Sequence, residues 1–76
     1  MNKQRRVAIR EIMDQLETLS EELEALKDEE EEYKDNMPEN LQGSERYERA
    51  EEVVSQLDDA ISEIAEAVEN MESACE

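Results

Sequence analysis

These 76 residues contain no histidine, tryptophan or phenylalanine, and only one glycine, one proline and one cysteine. Each absence excludes something. Without histidine and with a single thiol, the chain has neither the ligand set of a zinc site nor a Cys/His or Ser/His pair for nucleophilic catalysis. One glycine leaves no phosphate-cradling loop. Cys75 has no internal disulfide partner and reads as a small apolar residue at a frayed chain end. With two tyrosines as the only aromatics there is little material for sheet, whereas the abundant Glu, Leu and Ala favour helix. No run approaches the ~18 consecutive apolar residues of a membrane span, and the first ten residues lack the apolar stretch of a secretory signal. A cytoplasmic protein without a membrane partner is therefore expected.

Acid dominates what is present: 24 Asp and Glu against eight Lys and Arg, a net charge of -16. Such a balance also suits a disordered segment, which lacks the apolar surface to offset the entropy of ordering. Periodicity decides against disorder. In the first half, apolar residues fall at Ile9, Ile12, Leu16, Leu19, Leu23, Leu26 and, after a gap at Glu30, Tyr33, in alternating steps of three and four. The same heptad alternation runs through Tyr47, Ala50, Val54, Leu57, Ile61, Ile64, Val68, Met71 and Cys75. Between the two lies the segment Asn36-Met37-Pro38-Glu39-Asn40-Leu41-Gln42-Gly43-Ser44, with the only proline and the only glycine. Pro38 disfavours helical geometry at Met37, and Ser44 followed by Glu45 supplies a capping oxygen and a carboxylate at the start of the next helix.

The pattern predicts a single domain over residues 1–76: a first helix over about 3–35, a turn over 36–43 and a second helix over about 44–74. Folding the helices back on each other pairs Tyr33 with Tyr47, Leu26 with Val54, Leu23 with Leu57, Leu19 with Ile61, Leu16 with Ile64, Ile12 with Val68 and Ile9 with Met71, with Glu30 across from Ala50. The expected fold is all-α, an antiparallel two-helix coiled-coil hairpin. A second apolar column, Val53, Ala60, Ala67 and Ala74, lies beside the seam of the second helix, so the hairpin is expected to form a homodimer through that column, giving a four-helix bundle.

Charge is distributed unevenly. Residues 1–10 hold four bases and no acid; residues 11–35 hold twelve acids against Lys27 and Lys34; residues 50–76 hold nine acids and no base. Bases at a helix start and acids at a helix end both oppose the helix macrodipole, so a non-local cause is needed. In the hairpin, Arg5, Arg6 and Arg10 come alongside Glu69, Glu72 and Glu76; the sharper alternative, a basic arm for nucleic acid or membrane, works against the negative field of the whole chain. The run Asp28-Glu29-Glu30-Glu31-Glu32 is read as a solvated helical face or as a contact surface for a basic partner. As a calcium site it lacks a loop of converging oxygens.

Glu17, Glu21, Glu24, Asp28 and Glu31 recur every three or four residues along one side of the first helix and are the candidate partner-binding residues. No pocket is expected between two helices in which paired carboxylates could do acid–base work, so the chain reads as non-enzymatic and without a cofactor.

The stretch Glu31-Glu32-Tyr33-Lys34-Asp35-Asn36-Met37-Pro38-Glu39-Asn40-Leu41-Gln42-Gly43-Ser44-Glu45-Arg46-Tyr47, with its acidic heptad flanks, resembles small acidic helical proteins encoded in prophages and other mobile elements of Gram-positive gut bacteria. The resemblance implies a mobile-element context. Small acidic phage proteins as a broad category include anti-CRISPR and anti-restriction inhibitors, some of them DNA mimics, and by that analogy the partner is a basic, nucleic-acid-binding protein. The alternative is a structural coiled-coil accessory whose acidity serves solubility.

Overall fold

The computed structural model describes every residue, Met1–Glu76: two long helices with a short 3-10 turn between them and no strand. Helix α1 spans Lys3–Asp35 and α2 spans Glu45–Ala74; they pack along their length into an antiparallel hairpin measuring 59 × 15 × 12 Å between Cα atoms.

Local chemistry sets the ends. The Asn2 side-chain oxygen accepts a hydrogen bond from the Arg5 amide at 2.8 Å and caps α1. At its far end the Asn36 and Met37 amides donate to Glu32 and Lys34 carbonyls, and Pro38, lacking an amide hydrogen, stops the ladder. A 3-10 turn over Glu39–Leu41 follows. Gly43 then takes φ +96°, a conformation other residues rarely adopt; nothing lies within 4 Å of where its Cβ would stand, so the glycine serves the backbone and not a close approach. Ser44 caps α2 by accepting from the Tyr47 amide at 3.3 Å, and Glu45 and Glu48 place carboxylates at the positive end of the helix.

The seam of α2 is the one its heptads predict: Tyr47, Val54, Leu57, Ile61, Ile64, Val68 and Met71 are half-buried, and Ala50 and Cys75 are buried. Cys75 lies within the interface as the C-cap of α2, not at a frayed end.

Helix α1 departs from expectation. Ile9, Leu16, Leu23 and Glu30 turn inward as predicted, but Ile12, Leu19, Leu26 and Tyr33 are 48 to 54% exposed, and Arg6, Met13, Ser20, Lys27 and Lys34 take their places in the seam. At about 100° per residue the two alternatives differ by a rotation of the helix of roughly 50°. The pairing of Leu19 with Ile61, and of Ile12, Leu26 and Tyr33 with their expected partners, is thus replaced.

The observed rotation has identifiable support. Lys27 reaches Asp58 across the seam, Lys34 lies over the Tyr47 ring at 5.9 Å, and both lysines lay apolar stems along the interface. Buried Met37, seven residues on from Glu30, follows the column of Ile9, Leu16, Leu23 and Glu30 and closes the loop end.

Ser20 is the one small residue in that column. Replacing it with leucine should stabilise the hairpin by about 0.5–2 kcal/mol by filling the space beside Ile64 and Val68. An unchanged melting temperature for Ser20→Leu would place Ser20 outside the seam.

Candidate functional site

The hairpin has two broad faces, and the helical repeat assigns residues to them. On α1, Glu17, Glu24 and Glu31 each follow an inward-facing residue by one position, which carries them to one side of the seam; Leu19 and Leu26 follow by three, which carries them to the other. On α2 the corresponding columns are Glu51, Asp58, Ala65 and Glu72 on one side and Val53, Ala60, Ala67 and Ala74 on the other. Reversing a helix and turning it to face its neighbour brings like-sided columns onto the same face. A surface groove lined by both Glu17 and Ala65 confirms the assignment.

One face is therefore acidic. Glu17, Glu21, Glu24, Asp28 and Glu31 are all exposed, with Glu21 and Asp28 on the next column outward from Glu17, Glu24 and Glu31. The groove, about 400 Å³, runs between the helices here: Ser20, Ile64, Ala65 and Val68 line it together with Glu17 and Glu21 from α1 and Glu69 from α2. It thus joins an apolar floor to carboxylates contributed by both helices. Glu69 stands beside Val68 on the expected seam of α2, and its place in the groove depends on which α1 residues lie across from it, here Glu17, Ser20 and Glu21.

Toward the loop on the same face, Lys27 Nζ donates to Asp58 Oδ1 at 3.3 Å. That hydrogen bond raises the Lys27 ammonium above the ordinary lysine value against the partial loss of solvent, and the charges of Asp58, Asp28 and Glu24 act in the same direction. A raised lysine contributes stability below its unfolded pKa and loses it as pH rises through the higher folded value, so this link persists through neutral pH.

The basic start of α1 does not join the ion-pair system. The ion pairs are Lys27–Asp58, Lys34–Asp35 and Arg49–Glu52, so Arg5, Arg6 and Arg10 do not bridge to Glu69, Glu72 or Glu76. Arg6 belongs to the inward column and is half-buried, with its Nε unpartnered, while Arg5 and Arg10 point to solvent.

No group of acids or of the thiol converges as metal ligands, since helical carboxylates project around the axis and not toward a point. No helix is long and apolar enough to cross a membrane. Of the residues expected at a dimer contact, Val53 and Ala60 are half-buried and Ala67 and Ala74 exposed, all on the face opposite the acidic one. Compared with protein-family models, with curated proteins and with solved structures, the chain has no match.

Proposed function

We propose that this chain is a non-enzymatic interaction module that presents the acidic face of a helical hairpin to a basic protein, and that two copies associate into a four-helix bundle. The groove carries the reading: an apolar floor of Ile64 and Val68 beside Glu17, Glu21 and Glu69 suits lysine or arginine side chains, whose stems lie on the floor while their charged heads meet the carboxylates. Glu24, Asp28 and Glu31 extend the same field toward the loop.

Charge density supports a partner that ordinarily holds nucleic acid. Duplex DNA as long as the hairpin, 59 Å, carries about 35 phosphates at one per ~1.7 Å, against 24 acids offset by eight bases here, a net charge of -16, and twice these counts in a dimer. On this reading the module occludes a nucleic-acid site, as an inhibitor encoded on a mobile element would, without itself binding nucleic acid.

Salt tests the proposal. Capture of a partner by the immobilised protein from host-cell extract, with the partner identified by mass, should weaken steeply between low and moderate ionic strength, and duplex DNA should compete for that partner. Capture indifferent to salt and to DNA would favour a structural accessory whose acidity serves solubility.

A further inference from the structure

The face opposite the acidic groove is apolar, and it is built from two unlike halves. Ile12, Leu19, Leu26 and Tyr33 form a column of large side chains seven residues apart on α1, about half exposed. Beside them on α2 run Val53, Ala60, Ala67 and Ala74. A two-stranded coil needs only a narrow stripe on each helix, whereas a helix touching two neighbours in a bundle needs one wider than about 100°. Both helices carry the wider stripe, and the hairpin uses only part of each.

The two halves interleave in height. In the register in which Lys27 meets Asp58 and Lys34 meets Tyr47, Leu26 stands level with the gap between Val53 and Ala60, and Leu19 with the gap between Ala60 and Ala67. A two-fold axis parallel to the helices keeps heights unchanged while placing α1 of one copy over α2 of the other. Each large side chain then faces a hollow between small ones, twice over, as an isologous contact requires.

Size agrees with that occupant. A face 59 Å long and 15 Å wide between Cα atoms is on the scale of the roughly 800 Å² per partner of a stable interface. Its flanks mix the neutral amides Gln15, Gln56 and Asn70 with Arg49 and the acids Glu22, Glu29 and Glu63, and the acidic grooves of the two copies point away from each other.

We infer that a second copy of this chain covers this face, with Leu19 and Leu26 of each subunit seated along the Val53, Ala60 and Ala67 column of the other. This gives the dimer proposed above a face and a symmetry, and it does not depend on the identity of the basic partner.

Sedimentation of the whole protein at micromolar concentration should give a dimer, and Leu19→Glu with Leu26→Glu should give a monomer, whereas Glu21→Lys with Asp28→Lys on the opposite face should stay dimeric. In a Cys75→Ala background, a short thiol cross-linker should join copies carrying Leu26→Cys to copies carrying Ala60→Cys, a result that does not require the glutamate variant to fold. A monomeric unmodified protein would overturn the dimer itself. A dimer that survives Leu19→Glu with Leu26→Glu would leave a dimer but remove this face from it. Cross-linking of Leu26→Cys to Leu19→Cys copies in place of Ala60→Cys copies would overturn the parallel two-fold.

Discussion

Replacing Ala50 with glutamate is expected to unfold the hairpin at room temperature, while replacing Ala25 with glutamate leaves it folded. Both variants add one negative charge to a chain already at -16 and both stay within good helix-forming residues, so net charge and propensity are held constant. Burial is what differs. Ala50 is 1% exposed, one turn into the seam from Tyr47, and Ala25 lies on the solvent side of α1. A carboxylate at Ala50 would enter the end of the interface that already holds the half-buried Glu30. Lys34, one turn on from Glu30, is occupied between Asp35 and the Tyr47 ring. An uncompensated buried charge costs about 3–5 kcal/mol, as much as the whole core of so small a domain usually supplies. Helical ellipticity should collapse for Ala50→Glu, and the midpoint of Ala25→Glu should shift by no more than about 0.5 kcal/mol. Equal behaviour of the two would mean that the helices do not pack at Ala50.

The hairpin was legible because two independent signals agree on it: apolar steps of three and four on both sides, and one segment holding the only proline and glycine. Ser44 as a cap was legible for the same reason, since capping is local chemistry. The rotation of α1 was not. Two columns flank Ile9, Leu16 and Leu23, and hydrophobicity alone prefers the column of Ile12, Leu19, Leu26 and Tyr33 over that of Arg6, Met13, Ser20, Lys27 and Lys34.

A signal for the second column did exist. Lys27 and Lys34 are the only bases among residues 11–35, and they stand seven apart, as bases would if each reached across a seam from an acidic helix. Reading the richer column as the internal seam assumes that a helix packs against one neighbour only. Where a second neighbour is expected, the large residues can serve the second contact, and the first can be made by methionine, serine and the stems of lysines. The acidic face was legible as a row on one helix; its partner row on α2 and the groove between them depend on rotation and register together.

Reversing Glu21, Glu24 and Asp28 to lysine together should weaken partner capture by a hundredfold or more, at roughly 1.4 kcal/mol per tenfold. None of the three is in the seam, and all are exposed, so helicity should remain nearly intact. Each exposed pair alone contributes only about 0–1 kcal/mol, so single substitutions should be close to silent. The triple variant removes three attractions and introduces three repulsions on adjacent turns of one face, where neighbours three and four residues apart act on a partner as one field. Asn40→Ala with Gln42→Ala, both exposed in the turn, is the control and should bind as the unmodified protein does. Binding measured by capture at fixed ionic strength, with ellipticity recorded on the same samples, separates the outcomes. Loss of binding in the turn variant with retention in the triple reversal would move recognition from the acidic face to the Met37–Gly43 turn.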